Sequence, residues 1–580
     1  MANSLLPAQK NEGHEYKWIH IDDFSPGIYD PSFISGSDPV VSAPIGAADA
    51  RLTYACAAIQ GGALGPLPAR TQAFSYPVAF PGAVTKLYEL GFAANLGLND
   101  GTTELIVMLE GDDGTNHYYL VYSVIAETGA ANVILSTTNP TTGAGFFGAS
   151  FPSWTRMSTQ PIEGNTGFIL PTPVLIWPAS VPTDANGSRG HIYAYPDPAN
   201  PTAFGAKDLV SATPANSGIA GPLLGYADRI VVFQGEGASW PSGTGINTDE
   251  NIGITDPPEG YTYPATFGAN IPNTTVLSAE NPWGYGAWGS ESVGELILIK
   301  KNGGAVIVNG DILSPSSVIP LPAVQSTNAD GSGLAAATDV GLVYCSKNHG
   351  AWVWNGGNTA QKISQQLDDN FFNAGATGGT DPNDNLLFLV ERWQDWILFS
   401  NNYMYNPQTK SWWILYPNQS QTSPGLQPIT FFWWKQGRKG NIMYAAPIVL
   451  NKPPPASSSL YYNVFDSTVP TQHYQWGSLP IHVVPTADRV VDVRHVYIRL
   501  SQPDGSTTST CTVTVNGVNV GSTSGAITSD PQVFRFNVGI QTKDIRIQLN
   551  CDNTVPGQSP PLVHSVDVEY RVRQSEASSN

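Results

Sequence analysis

Short apolar runs, separated by turns rich in Gly, Asn and Pro, dominate the chain from about residue 46 to residue 475. Residues 105–109 lead through a turn rich in Gly and Asp into 118–122, and residues 295–299 lead through Asn302 and Gly303 into 305–308. Asn-Gly is a strong hairpin signal, because both positions tolerate a positive φ. The pattern therefore predicts many short antiparallel strands.

Tryptophans recur along the same part of the chain. They lie roughly 50–65 residues apart, at Trp177, Trp240, Trp288, Trp354 and Trp413. Short strands with an aromatic residue in each repeating unit are typical of a β-propeller, in which four-stranded blades stack in a ring. We therefore expect residues 46–475 to form a β-propeller-like domain. An irregular pair of β-sandwiches is the alternative.

The pattern changes after the Pro and Ser runs at 453–459. Apolar and polar residues then alternate, as in 490–500 and 533–538, and Asn516 and Gly517 predict a hairpin. Period-two alternation means that one face of each strand is buried and the other is wet. The pattern predicts a small antiparallel β-sandwich over residues 478–575 in an all-β protein, and we expect this domain to fold by itself.

One stretch has helical spacing. Ile363, Leu367 and Phe371 lie at i, i+4 and i+8, shortly before Gly375. Apolar residues at this spacing form one face of an α-helix, so the sequence predicts a short helix over residues 363–372, inserted between two blades.

Residues 1–45 are polar and irregular, and they are interpreted as an N-terminal arm. Its aromatic residues Tyr16, Trp18 and Phe24 must be buried somewhere, because leaving each in water forfeits roughly 2 kcal/mol. They dock either on their own domain or on a neighbouring subunit. We take these three residues as candidate inter-subunit anchors of a symmetric oligomer.

Charge limits the possible partners. The chain has 27 basic and 46 acidic side chains, a net charge of −19. Binding to DNA requires Lys and Arg that displace phosphate counterions, so we expect no sequence-specific nucleic-acid binding, although DNA could pass along an acidic wall. Residues 478–573 hold eight acidic and eight basic side chains. The acidic excess therefore belongs to the earlier part of the chain.

The first residues lack the basic and apolar regions of a signal peptide, and no apolar run approaches the roughly 18 residues of a membrane span. We expect a protein that is made in a cytosol and stays soluble. The four cysteines, Cys56, Cys345, Cys511 and Cys551, show no zinc-binding spacing. Cys511 and Cys551 are expected to be two buried thiols, with a disulfide as the alternative.

No enzyme motif is apparent in the sequence. A nucleophile elbow, a zinc-peptidase helix and a phosphate-binding loop are all missing. Adjacent carboxylates, at 22–23, 112–113 and 368–369, point to opposite faces of a strand. Residues 346–350 are similar to the start of a sialidase Asp box, but Asn348 replaces the Asp, so a hairpin turn is the simpler interpretation. We therefore expect no enzymatic activity, no catalytic or metal-binding residues and no cofactor.

Several stretches share one further likeness. They are 341–346 (Gly-Leu-Val-Tyr-Cys-Ser), 350–356 (Gly-Ala-Trp-Val-Trp-Asn-Gly), 362–364, 396–400 and 405–412. Together they resemble the propeller strands of tailed-bacteriophage tail and neck proteins. Residues 396–400 and 405–412 also resemble kelch-type blades. Residues 18–28 (Trp-Ile-His-Ile-Asp-Asp-Phe-Ser-Pro-Gly-Ile) resemble the opening of such virion proteins, and 474–480 fits too. The likeness covers about half of the chain.

This resemblance implies a structural subunit of the virion, assembled in the host cytoplasm. Its implied partners are further copies of the chain and other tail or neck proteins, in a symmetric ring or attachment platform around the DNA path. A host-surface glycan is a further possible partner. One alternative is a carbohydrate-binding adhesin or receptor-binding protein that uses Trp and Tyr. A second alternative is a propeller-type glycosidase.

Overall fold

The structure is a computed structural model, and it describes part of the chain. The described residues are 16–27, 50–59, 61–75, 461–483, 490–505, 508–523 and 526–573, together with the strands given below and a few adjoining turn residues between 86 and 447. No helix occurs among these residues, and the predicted all-β class is confirmed.

The strands of the first part of the chain are β1 (Lys17–Ile21), β2 (Ala50–Tyr54), β3 (Cys56–Ala58), β4 (Leu64–Pro66), β5 (Pro68–Ser75), β6 (Lys86–Asn95), β7 (Glu104–Asp112), β8 (His117–Ile125), β9 (Ala131–Asn139), β10 (Thr155–Met157), β11 (Val174–Val181), β12 (Arg189–Tyr195) and β13 (Gly205–Asp208). Those of the middle part are β14 (Leu223–Tyr226), β15 (Arg229–Val232), β16 (Gly253–Ile254), β17 (Val276–Glu280), β18 (Leu296–Lys300), β19 (Ala305–Asp311), β20 (Ser314–Leu321), β21 (Ala335–Thr338), β22 (Gly341–Ser346), β23 (Gly350–Trp354), β24 (Gln361–Lys362), β25 (Val390–Trp393) and β26 (Trp396–Phe399). Those of the last part are β27 (Tyr403–Asn406), β28 (Ser411–Ile414), β29 (Phe432–Gln436), β30 (Ile442–Pro447), β31 (Tyr461–Pro470), β32 (His473–Ser478), β33 (Val490–Ser501), β34 (Ser509–Val515), β35 (Val518–Ser522), β36 (Gln532–Thr542), β37 (Ile547–Asn553) and β38 (Leu562–Arg573).

The chain divides into two compact units. One consists of Met1–Arg70, Tyr403–Pro417 and Asp466–Asn580, and the other of Thr71–Asn402 and Asn418–Phe465. The division expected from the sequence was 1–45, 46–475 and 478–575. It differs because the N-terminal arm and the strands that follow it pair with the last part of the chain.

The larger unit is a β-propeller-like ring. It contains five antiparallel sheets, which are β6–β9, β10–β13, β14–β16, β17–β20 and β21–β24, and the hairpins β25–β26 and β29–β30. The first strands contact one another in the order β10, β14, β17, β21, β25 and β29, and β29 contacts β6. Consecutive hairpin-linked sheets that meet through their first strands define a propeller. The described residues of this unit thus contain five such sheets and two such hairpins.

The other unit is the β-sandwich. One sheet has the order β3-β4-β38-β33-β36, with β1 also paired to β38, and the second has the order β2-β32-β37-β34-β35. Buried and half-exposed residues alternate along β34 and β37, as the sequence pattern requires. The sandwich prediction is confirmed. Its second sheet also contains β2 and β32, so residues 478–575 supply only part of the fold.

The predicted helix at 363–372 is wrong over its described residues. Gln361–Lys362 is a strand, and residues 363–367 form a turn closed by the Leu367 N–H, which donates to the Ser364 carbonyl at 3.0 Å. The Ile363 N–H donates to the Ala351 carbonyl at 2.9 Å. The backbone is held by the neighbouring strand, and that contact outweighs the helical spacing of the apolar residues. Residues 368–372 lie outside the described part.

Candidate functional site

The N-terminal arm forms an edge strand of the sandwich. β1 runs antiparallel to β38, with Trp18 opposite Glu569 and His20 opposite Asp567. His20 Nδ1 hydrogen-bonds to the Asp567 carboxylate, and His20 Nε2 lies 3.1 Å from Asp22 Oδ2. The hydrogen bond to Asp567 raises the pKa of His20, because it favours the protonated imidazole.

The three predicted anchors lie in different surroundings. Phe24 is fully buried, and its ring meets the ring of Trp476 edge-on at 5.2 Å. Tyr16 is half-buried, with the guanidinium carbon of Arg494 at 5.0 Å from its ring centre. Trp18 is 43% exposed and packs on Tyr497 with ring centres 5.4 Å apart. The structure therefore brings Trp18 to the surface of the sandwich and Phe24 into its core.

A buried polar group lies beside Trp18. His495 and Glu569 are only 6% and 8% exposed, although both belong to the outer side of the first sheet. Arg535 Nη2 donates to His495 Nε2 at 2.5 Å, so the imidazole proton lies on Nδ1, which donates to Glu569 Oε2 at 2.6 Å. The imidazole thus links the exposed Arg535 guanidinium to the buried Glu569 carboxylate, so the buried carboxylate has a hydrogen-bond partner.

Tyr497 completes this group. Its hydroxyl donates to Glu569 Oε2 at 3.4 Å, and the Arg535 guanidinium carbon lies 6.0 Å from its ring centre. Burial, and then the negative charge of Glu569, raise the pKa of Tyr497, so the hydroxyl keeps its proton near neutral pH. The Trp18 ring packs against the ring of this tyrosine.

These residues form one continuous surface. It is the outer side of the first sheet, consisting of Trp18, Tyr497, Arg499, Val533 and Arg535, and we call it the arm face. Val533 is 56% exposed, lies opposite Arg499 and precedes Arg535 by two residues on the same side of β36. The arm face thus combines exposed Trp, Val and Arg over a buried ionic group.

The outer side of the second sheet has a different chemistry. We call it the amide face. The paired His473 and Asp552 lie at one end of it, and its other seven side chains are Gln475, Thr510, Thr512, Thr514, Ser522, Gln548 and Asn550. Gln475, Asn550, Thr512 and Ser522 lie opposite one another across β32, β37, β34 and β35, and so do Gly477, Gln548 and Thr514 across the first three. All seven side chains carry hydroxyl or carboxamide groups without net charge.

A depression of about 320 Å³ opens at one end of the amide face. It is lined by Gly477, Ser478, Thr514, Gly517, Arg546, Ile547 and Gln548. Its two glycines, Gly477 and Gly517, carry no side chain and leave the space open. The hydroxyl of Thr514, the carboxamide of Gln548 and the guanidinium of Arg546 supply polar groups around it.

One hydroxyl and imidazole pair has the composition of a catalytic dyad. Ser501 Oγ lies 2.7 Å from His564 Nε2. Burial and the charge of Arg499 lower the pKa of His564, which keeps its imidazole neutral and able to accept a proton. Ser501 itself is only 5% exposed, so a substrate has no direct access to its hydroxyl.

Three thiols surround a buried tyrosine in the sandwich core. Cys511 and Cys551 lie opposite each other, and both are buried, as expected. The contact with Cys551, and then burial, raise the pKa of Cys511 well above its usual range. The Cys56 thiol donates to the Gln475 carbonyl at 3.0 Å, and the Tyr474 hydroxyl donates to the Pro561 carbonyl at 2.5 Å. These buried thiols act as small packing groups.

Metal ligands do not cluster in the described part of the chain, where no group of three or more His, Cys, Asp or Glu is placed to hold an ion. The described residues also contain no helix that is long and apolar enough to cross a membrane.

The known proteins similar to this chain are solved structures. No family model matches the chain, and neither does any curated protein. The α-L-arabinofuranosidase Arb93A of Fusarium graminearum is 11% identical, with 69% of this chain and 98% of that one covered and a TM-score of 0.30. The RRP9 WD40 repeats are 8% identical, with 69% and 99% covered and a TM-score of 0.34. The exo-β-1,3-galactanase of Phanerochaete chrysosporium is 10% identical, with 73% and 100% covered and a TM-score of 0.20.

The expectation that the chain is not an enzyme is corrected by these structures. Two of the three are glycoside hydrolases, so an all-β fold of this kind is no ground for excluding an enzyme. Such distant likeness assigns no substrate and no catalytic residue to this chain, because one fold hosts many functions.

The sequence predicted a role for the aromatic residues of the arm, but it did not predict the arm face or the amide face of the sandwich. His495, Arg535 and Glu569 are far apart in the sequence, and only strand pairing brings them together. The amide face left a weak signal, because Thr510, Thr512 and Thr514 alternate with buried residues and carry no charge. An uncharged outward series on a strand is the feature that reveals such a face.

Proposed function

We propose that this chain is a structural subunit of a tailed-bacteriophage virion, located in the tail or neck. It forms part of a symmetric ring or attachment platform around the DNA path, and it assembles in the host cytoplasm. The proposal is supported by the resemblance of residues 18–28, 341–356 and 396–412 to virion proteins. The observation that carries it further is the arm face.

The arm face has the composition of a protein contact. Trp, Tyr and Arg dominate the energetics of protein interfaces, and here Trp18, Tyr497 and Arg535 lie together on one sheet. Trp18 and Val533 are 43% and 56% exposed in the single chain. Covering them stabilises an assembly through the hydrophobic effect.

A second copy of this chain is the partner that the charges favour. Residues 478–573 are electrically balanced, whereas the whole chain carries −19, so the acidic excess lies on the rest of the molecule. The Arg residues of the arm face complement an acidic surface on a neighbouring copy. Such a contact joins two different surfaces, and it closes into a ring when the rotation allows.

Cryo-electron microscopy of the assembled particle tests this proposal. We expect a ring of this chain in the tail or neck, with the arm face covered by a neighbouring copy. Trp18→Ala should weaken ring assembly, whereas Val518→Ala, which removes an exposed valine elsewhere on the sandwich, should leave assembly unchanged. A particle that lacks the chain, or a ring in which Trp18 faces solvent, would contradict the proposal.

A propeller-type glycosidase is the other candidate that the comparisons keep open. It is tested by incubating the purified chain with arabinan, galactan and bacterial polysaccharides and measuring released reducing sugar. Turnover that one carboxylate substitution abolishes would replace the structural proposal by an enzymatic one, whereas turnover together with a ring in the particle would assign both roles.

A further inference from the structure

The first sheet of the sandwich ends in two strands that pair on one side only. β1 pairs with β38 and β36 pairs with β33, and the described residues include no strand paired to the other side of either. An edge strand presents a row of unpaired N–H and C=O groups, which proteins usually protect with Lys, Pro or a bulge. Residues 532–538 of β36 contain neither Lys nor Pro, and they precede the irregularity at Gly539. This part of β36 is therefore an edge that another strand can extend.

Exposed apolar side chains lie at both of these edges and on the same side of the sheet. Trp18 of β1 is 43% exposed, Val533 of β36 is 56% exposed, and both belong to the arm face. β38 and β33 lie between the two edge strands. Three strand spacings of about 4.8 Å keep the two edges about 14 Å apart, so neither residue can cover the other within one copy. Joining the β1 edge of one copy to the β36 edge of another covers both.

The strand directions suit this junction. β1 is antiparallel to β38, β38 to β33, and β33 to β36, so β1 and β36 point in opposite directions. When a second copy continues the sheet in the same orientation, its β1 therefore runs antiparallel to β36 of the first copy, and the arm faces of both copies lie on one side. The two edges are different surfaces, so the contact repeats from copy to copy, as a ring requires.

We propose that β36 of one copy pairs with β1 of the next copy, so that the first sheet continues from subunit to subunit. This edge junction rests on the ring in the proposed function, and it names the strands that join the ring. Charge favours a second copy as the partner, because residues 478–573 hold eight acidic and eight basic side chains and two sandwiches meet without net repulsion. The five residues of β1 would form about four to six backbone hydrogen bonds with β36.

The side chains select one register for the edge junction. Cross-strand neighbours lie on the same side of a sheet, which leaves Trp18 three possible partners in the regular part of β36: Val533, Arg535 and Asn537. With Asn537 opposite Trp18, the basic side chains of His20 and Arg535 would oppose each other. With Val533 opposite Trp18, two residues of β1 would extend beyond the end of β36. With Arg535 opposite Trp18, all five residues of β1 are paired and His20 lies opposite Val533.

This register also suits the position of the indole ring. The Trp18 ring leans onto Tyr497 of its own copy, with ring centres 5.4 Å apart. Only a long side chain on the neighbouring strand can reach a ring placed in this way. The exposed Arg535 guanidinium has that length, and a cation over an indole ring is a favourable contact.

Disulfide formation between copies tests the edge junction. His20→Cys with Val533→Cys in the full chain places two thiols opposite each other across the junction. Within one copy these positions are about 14 Å apart or more, whereas Cα atoms more than about 7 Å apart cannot be bridged. Mild oxidation of the assembled particle, or of the concentrated purified chain, should give a ladder of covalent oligomers on a non-reducing gel. Each single variant is a control and should stay monomeric.

A charged variant gives a second measurement without added cysteines. Val533→Lys places a Lys opposite His20 of the next copy, and Lys is a side chain that protects natural edges. The yield of rings, measured by light scattering for the purified chain or by gel densitometry for the particle, should fall about tenfold. Val518→Lys is the matched control, because Val518 is 53% exposed but lies on β35 of the other sheet, and it should assemble normally. Circular dichroism verifies that both variants are folded.

The edge junction and the virion proposal fail in different ways. A ring in the particle without cross-linked oligomers would overturn the edge junction and leave the virion proposal intact. A ladder from the purified chain, together with a particle that lacks the ring, would support the edge junction and overturn the virion proposal. Normal assembly of folded Val533→Lys, or the absence of a ladder from both samples, would also overturn the edge junction.

Discussion

Replacing Phe24 by Ala should destabilise the sandwich strongly, although Phe24 belongs to an arm that the sequence shows as polar and irregular. Phe24 is fully buried and meets Trp476 edge-on, and its N–H donates to the Gly62 carbonyl at 3.0 Å. Removing a buried Phe side chain costs about 3–5 kcal/mol of unfolding free energy, through lost transfer energy and the cavity left behind.

This cost converts into a measurable shift. The unit that contains Phe24 has about 200 residues. For that size, 1 kcal/mol lowers Tm by roughly 2–4 °C, so Phe24→Ala should lower the sandwich transition by about 6–20 °C. Trp18→Ala is the matched comparison. Its side chain is 43% exposed, so its Tm shift should be less than half as large.

Differential scanning calorimetry of the full chain measures both variants. Because the chain has two compact units, the transitions are followed separately, and only one of them should move. A shift below 2 °C for Phe24→Ala would refute the reasoning, since Phe24 would then lie outside a packed core. An equal shift for Trp18→Ala would refute the contrast between the buried and the exposed aromatic residue.

Three further predictions concern the same unit. The hydrogen bond to Asp567 raises the pKa of His20, so the stabilisation of β1 by protonated His20 is complete below about pH 6.5 and is lost as the pH rises through the folded-state pKa. Amide exchange of β1, corrected for intrinsic rates, should therefore be faster at pH 8 than at pH 6. His20→Gln should remove this difference. Gly517→Ala should lower the free energy of unfolding in urea by about 1–2 kcal/mol, because a φ of +81° is unfavourable for alanine. An added Cβ meets no atom within 4 Å, so the whole cost comes from the backbone conformation. An unchanged free energy of unfolding would contradict the turn. Cys511 and Cys551 are free and buried, so alkylation of the native chain should modify neither thiol and alkylation after unfolding in urea should modify both. A mass lower by two hydrogens before alkylation would show a disulfide instead.

Local patterns were predictable from the sequence. The hairpin at Asn516 and Gly517 formed with φ values of +50° and +81°, as the Asn-Gly signal requires. β34 and β37 bury every second residue, because one side of each strand lies in the core. These features depend on residues that are close in the chain, and a period of two is sufficient to recognise them.

Pairings between distant segments were not predictable. β1 joins β38 and β2 joins β32, and each pairing links segments separated by more than 400 residues. Isolated strands of five residues have no pattern that names their partner. The predicted helix failed for the same reason, because the backbone of Ile363 is bonded to Ala351 rather than to its own turn.

The candidate site was predictable only in its residue types. Three aromatic residues in a polar arm indicated burial, but their sequence could not distinguish Phe24, which is inside, from Trp18, which is half outside. Alternation along β1 places Trp18 on the outer side of the sheet, whereas Phe24 lies three residues beyond the strand, where the chain turns into the core. The role of these residues as inter-subunit anchors stays a prediction.

Exchange of the arm between copies is the way in which these contacts would also join subunits. Every contact of β1 with β38 forms equally well when β1 comes from a neighbouring copy, and such swapping is a low-cost route to oligomers. The 22 residues between Gly27 and Ala50 span at most about 75 Å when fully extended, which is long enough to reach a neighbour. Phe24 would then be buried in the core of the next subunit.

A cysteine pair at one register position distinguishes the two arrangements. His20 and Asp567 lie directly opposite each other, so His20→Cys with Asp567→Cys places two thiols across β1 and β38. In the assembled particle, mild oxidation should give a ladder of covalent oligomers on a non-reducing gel if arms are exchanged. A single monomer band with an internal cross-link would show that each arm clasps its own sandwich, and the anchor prediction would then fail for Phe24. His20→Cys alone is the control and should give neither product, since its partner thiol is missing.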